Sequence, residues 1–187
     1  MLSVASIAPV RPMSLPRAAY HHLAAQGTFE GRRVQLVYGT VLEMSPMGTP
    51  HANAIAKLMP ALARIKPDDL DLRVQLPLAA AEDSEPEPDF AFVRSQTGFE
   101  EDHPATAVLI IEIADSSLRL DLGPKAKLYA EMGVPEYWVV DLGARTTHVH
   151  RSPKRGRYTA IRRVSWSRRL TSSQLRDLEV ALATMLP

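Results

Sequence analysis

The chain contains no cysteine. That absence excludes disulfide scaffolds, thiolate zinc sites and cysteine nucleophiles, and leaves Asp, Glu, His, Lys and Ser to carry any chemistry. Long apolar runs are missing too: no segment approaches the roughly 20 apolar residues of a membrane span. The opening stretch MLSVASIAPVRPMSLP lacks a basic start and is broken at Pro9, Pro12 and Pro16, so it makes a poor signal peptide. These absences suit a reducing cytoplasm and no membrane partner. Residues 1–13 read as a loose arm before one domain spanning 14–187, because 187 residues with 45% hydrophobic content suit a single sizeable core.

Net charge is nearly absent, at +1, but its distribution is uneven. No Asp or Glu occurs from Leu142 to Arg176, a stretch that holds Arg151, Lys154, Arg155, Arg162 and Arg163 among other cations. Such a block suits a polyanion such as DNA, and it equally suits the solvated face of ordinary strands. Tyr158 and Trp166 inside the block could stack on bases or belong to the core.

What is present alternates between strand and helix patterns. SLPRAAYHHLAAQG predicts a short helix from about Leu15 to Gln26. RRVQLVYGTVLEMSP predicts a hairpin around Tyr38 and Gly39. Residues 50–65 carry Ala54, Ile55, Leu58, Leu62 and Ile65 at helical spacing and predict a core-packing helix bent at Pro60. LRVQLPLA and PDFAFV read as strands around an acidic, Pro-rich loop, and AVLIIEIAD as the central strand. A helix over about 121–132 and strands EYWVVDL, THVHR and RYTAIRRV follow. The closing stretch fits a short strand or a helix. The pattern is a strand-rich α/β one.

Glu112 lies inside the apolar run of the central strand, where an uncompensated carboxylate costs several kcal/mol. Asp89 starts the preceding strand. If the two strands form an antiparallel pair, the two acids meet, and two ionised carboxylates about 4 Å apart repel by about 4 kcal/mol at an effective dielectric of 20. A salt bridge to a buried Arg or Lys would compensate Glu112, and Asp89 alone could be a turn residue. The pairing of the two acids favours a divalent cation, with oxygen ligands pointing to Mg²⁺ or Mn²⁺. Lys125 and Tyr129, at i, i+4 spacing on the next helix, share a face that can fold back over the acids, while Lys127 points away. His148 and His150 share a strand face, but two ligands are too few for zinc.

The run from PDFAFV through VLIIEIADSSLRLDLGPKAKLYAEMGVPEYWVVDL resembles the Uma-type restriction endonucleases of the PD-(D/E)XK nuclease superfamily. The resemblance covers about Leu15 to Leu186. It implies a restriction-endonuclease-like core, a mixed central sheet flanked by helices with extra antiparallel strands, and a metal-dependent endonuclease acting on DNA, as monomer or homodimer. It further implies Asp89, Glu112 and Lys125 as catalytic residues. Asp89, Glu112 and the carbonyl of Ile113 would hold the ion, with Gln35, His51, Asp115 and Tyr129 around them. Two departures stand out: the superfamily's lysine position after the Glu holds Ala114, so Lys125 must reach in from the helix, and Gln35 stands where the family usually has Glu. The second departure keeps an alternative open, a nuclease-fold binding or regulatory module with weak or no turnover.

Overall fold

The structure, a computed structural model, describes residues 13–95 and 102–186, so all of the expected N-terminal arm except Met13 lies outside the described residues. The chain order is α1 (Arg17–Ala25), a hairpin of β1 (Val34–Val37) and β2 (Thr40–Glu43), α2 (Thr49–Arg64), β3 (Leu70–Val74), β4 (Phe90–Arg94) and β5 (Leu109–Ala114). Next come α3 (Leu118–Leu120), a π-helical turn (Asp121–Lys125), α4 (Ala126–Glu131), β6 (Glu136–Asp141), β7 (Thr146–Lys154), β8 (Arg157–Ser165), β9 (Leu170–Thr171), β10 (Glu179–Val180) and α5 (Leu182–Met185). The closing stretch holds both a short strand and a short helix.

Six strands form the central sheet in the order β3-β4-β5-β6-β7-β8. The β5–β6 pair is parallel and every other neighbouring pair is antiparallel. This is the mixed sheet flanked by helices, with extra antiparallel strands, of a restriction-endonuclease-like architecture. β5 and β6 are buried at every position, as expected for strands covered on both faces. On one face Leu109, Ile111, Ile113, Trp138 and Val140 pack with α2 and the C-terminal segment. On the other, Ile110, Tyr137 and Val139 pack with Tyr129 and Ala130 of α4. Side-chain alternation therefore puts Glu112 on the α4 face.

Two local features, at Gln75 and Pro124, aim the chain at that face. Gln75 has φ of 51°, so the strand read from LRVQLPLA ends at Val74. Pro60 sits inside α2 on its exposed side. Pro124 lies in the π-helical turn. A proline inside an α-helix lacks the N–H for the i−4 carbonyl and clashes with it. The wider π turn accommodates that ring and carries Asp121 and Lys125 toward the sheet.

Candidate active site

The β4–β5 register pairs Phe90 with Ile111; continued by one residue it sets Asp89 opposite Glu112, and by two sets Pro88 opposite Ile113. Pro88 has no N–H, so the ladder stops there and the Asp89 side chain takes over. Ile113 N–H donates to Asp89 Oδ2 at 2.8 Å, and Asp89 N–H donates to Glu112 Oε2 at 3.2 Å. The expected antiparallel pairing of the two strands is present, and it brings the Glu112 carboxylate to the backbone of Asp89. Gln75, turned by its left-handed backbone, donates Nε2–H to Asp89 Oδ1 at 3.2 Å. His51, in the first turn of α2, holds the same oxygen through Nε2 at 3.0 Å.

Glu112 is compensated by a lysine. Lys125 Nζ donates to Glu112 Oε1 at 2.8 Å, and each side chain is only 4% exposed. Tyr129 O–H donates to the same oxygen at 2.8 Å, so Tyr129 touches the acid itself. Lys125, the lysine expected to reach the acids from the helix, is the buried cation that pairs with Glu112, the partner that the sequence left as an alternative. Sequence reasoning missed Asp121, whose side chain is 2% exposed and whose Oδ1 lies 3.9 Å from Lys125 Nζ. Its i, i+4 spacing from Lys125 was the available signal. It also missed Gln75, because nothing in LRVQLPLA marks the left-handed residue.

Burial raises the Asp89 carboxyl, but the His51 hydrogen bond and charge, the Ile113 N–H and Gln75 outweigh it and hold Asp89 below its ordinary value. Burial pushes Glu112 above its ordinary value, against the pull of Lys125. Its three neighbours are all placed as donors, which favours the carboxylate form at the site. Burial also raises Asp121, and the Asp89 hydrogen bond raises His51.

These groups floor a cleft of 270 Å³ that Gln35, Glu87 and Asp115 also line. Gln35 is buried, with Oε1 accepting from Glu87 N–H at 3.4 Å. Among the described residues no group of three or more His, Asp or Glu side chains is arranged to hold a metal ion. The donor chemistry nonetheless fits a hard divalent cation. Asp89, Glu112 and Asp121 offer only oxygen. Asp121 Oδ1 is buried with no hydrogen-bond partner among the described residues. In a strand one residue's N–H and C=O point to the same edge, so the Ile113 carbonyl faces Pro88, which has no donor to give it.

The basic region divides. Arg151 is committed to the sheet: its guanidinium donates to Glu136 Oε1 at 3.0 and 2.8 Å and to the Thr171 carbonyl at 2.8 Å. Lys154, Arg155, Arg162 and Arg163 are exposed. Tyr158 and Trp166 are buried, as core residues. His150 is buried against Tyr137 and Tyr158, and burial pushes it down to about 4.

The sequence model of a family named Uma2, described as "Putative restriction endonuclease", matches residues 17–183. Among curated proteins nothing matches. A crystal structure described as "a putative nuclease belonging to DUF820" from Anabaena variabilis is similar, with a TM-score of 0.66 at 14% identity over 83% of this chain and 90% of that one. At that identity the likeness supports the fold.

Proposed function

The chain belongs to the Uma2 family, and from that premise we propose that it is a metal-dependent endonuclease that hydrolyses DNA phosphodiester bonds, working in the cytoplasm. The observation that carries this reading is the buried group of Asp89, Glu112 and Lys125 on the floor of the cleft. Asp89, Glu112 and the Ile113 carbonyl would hold Mg²⁺ or Mn²⁺. Bound there, such an ion polarises a phosphoryl oxygen and makes water a better nucleophile at neutral pH.

The chain's own groups do the remaining work. Lys125 supplies a positive charge beside the acids, where a phosphoryl group gathers negative charge as water attacks. It is also a donor that can orient that water. His51 and Gln75 lock one Asp89 oxygen and the Ile113 N–H locks the other, so the carboxylate is preorganised. Tyr129 does the same for Glu112. Asp115, exposed at the strand end on the rim of the cleft, meets substrate or water rather than the ion.

The second reading, a binding module without turnover, has its own observation. Gln35 occupies the place where the resemblance expects an acid, and it is spent on the Glu87 backbone. A plasmid-nicking assay separates the two. The parent protein should nick supercoiled DNA with Mg²⁺ or Mn²⁺ and stop when the ion is chelated, and Asp89→Asn should not nick. DNA binding without nicking by the parent would select the module.

The exposed cations give the DNA partner a separate check. In the β7–β8 register Arg162 faces Val149 and Arg163 faces His148, on opposite faces of the sheet. Arg162 lines a shallow depression with Arg168 and Arg169, whereas Arg163 Nε is tied to Thr146 Oγ1 at 3.1 Å. Arg162→Ala should therefore flatten the salt dependence of duplex affinity by about one phosphate contact, a slope change of roughly 0.9, and Arg163→Ala by much less. Fluorescence anisotropy at several salt concentrations measures both. Equal, small effects would make this face a solvated surface.

A further inference from the structure

Lys125 has two acids within reach but one hydrogen bond. Its ammonium sits 2.8 Å from Glu112 Oε1 and 3.9 Å from Asp121 Oδ1. Asp121 is held from two sides. Ser117 O–H donates to its Oδ2, and Tyr137 O–H donates to its backbone carbonyl at 3.0 Å. Its Oδ1 is buried and has no hydrogen-bond partner among the described residues. An acceptor in that condition is costly, and the cost is understandable if another state of the site uses it.

The endonuclease reading, on which this inference rests, creates that state. A divalent ion at Asp89 and Glu112 would lie against the Lys125 ammonium, and like charges at such range repel strongly in a buried site. The lysine needs somewhere else to go, and a long unbranched stem can swing over an ångström without moving the helix. We propose that Asp121 is the second seat of the Lys125 ammonium: a positioning residue that receives this charge when a divalent ion takes Glu112. The π-helical turn, which accommodates Pro124, sets Asp121 and Lys125 side by side and facing β5. In the metal-free protein Lys125 guards Glu112; in the loaded protein it stays in the cleft, on Asp121, beside the reacting phosphate.

Mn²⁺ binding, followed by the electron paramagnetic resonance signal of the free ion, tests this without any turnover. Asp121→Asn should weaken Mn²⁺ binding about tenfold, in the range seen when groups behind metal ligands are removed. Lys125→Met should bind Mn²⁺ as well as the parent or better. With Lys125→Met in place, adding Asp121→Asn should change nothing further, because the charge that needed seating is gone. An Asp121→Asn effect that persists in that background would show Asp121 acting on the ion directly, and would overturn the proposal. So would parent-like binding by Asp121→Asn alone. If that variant does not fold, Ser117→Ala, which frees the Asp121 side chain, should weaken binding in the same direction, and parent-like binding by it would overturn the proposal. A parent protein that binds no Mn²⁺ would bring down the endonuclease reading and this inference together, whereas a binding parent with an indifferent Asp121 brings down this one alone.

Discussion

Glu112→Gln should melt well below the parent protein in EDTA, with a loss of about 3 kcal/mol at neutral pH, and should not nick DNA in any divalent ion. Two effects compete in the metal-free protein. The substitution removes a carboxylate that repels Asp89, which stabilises. It also strips the ammonium of Lys125 of its 2.8 Å partner while that side chain stays 4% exposed, which destabilises. Removing one partner of a buried pair costs roughly 3–5 kcal/mol, and the lower end applies because Asp121 remains 3.9 Å away. The hydrogen-bond geometry adds to the loss. Glu112 Oε1 accepts from both Lys125 and Tyr129 and Oε2 accepts from the Asp89 N–H, so the NH₂ of Gln must face a donor whichever way it turns. Thermal melts in EDTA measure the balance. An unchanged or higher melting temperature would mean that repulsion from Asp89 dominates and that Lys125 contributes little to holding Glu112.

The meeting of Asp89 and Glu112 was legible because it needed only strand order and the alternation of side chains. The strand read as AVLIIEIAD is buried from Leu109 onward, but Val108 is only half-buried, since the small residues ahead of Leu109 still belong to the approach to the sheet. The helix bearing Lys125 and Tyr129 was legible by spacing. Its π-helical turn was not, because Pro124 in DLGPKAK could equally have marked a helix start. The identity of the Glu112 partner was open in the sequence, where a cation and a metal balance the same charge. Choosing between them takes the side-chain reach across β5, a three-dimensional quantity. The basic block was legible as charge but not as function. Arg151 falls in it by composition and leaves it by geometry, because Glu136 lies beside it in the β6–β7 register.

That Glu136 is the site of the second large effect expected here. Its carboxylate is fully buried and accepts from Trp138 Nε1–H at 2.7 Å, from Arg151 twice, from Ser172 O–H at 3.0 Å, and from the Ser173 N–H and O–H at 2.8 and 2.7 Å. Through these bonds the first strand residue of β6 holds the loop after β9 against the sheet. Glu136→Ala leaves a buried indole N–H and a serine amide without their acceptor and a guanidinium without its counter-charge. A loss of about 4 kcal/mol follows from the cost of breaking a buried charged network. Glu136→Gln, which keeps shape and one acceptor, should lose about half as much. The pH dependence carries a definite sign. Burial raises the Glu136 carboxyl, but Arg151, Ser173 and Trp138 outweigh it and hold it below its ordinary 4.5. A carboxyl lowered in the folded state binds fewer protons there than in the unfolded chain, so its contribution is whole above 4.5 and is lost as pH falls below that value. Urea denaturation of the parent and Glu136→Gln should therefore give a stability gap that is constant above about pH 5 and closes toward pH 3. Hydrogen exchange in Glu136→Ala should rise first in the segment from Leu170 to Met185, whose anchor has been removed. A gap that does not change with pH would show that Glu136 acts through shape and packing and not through its charge.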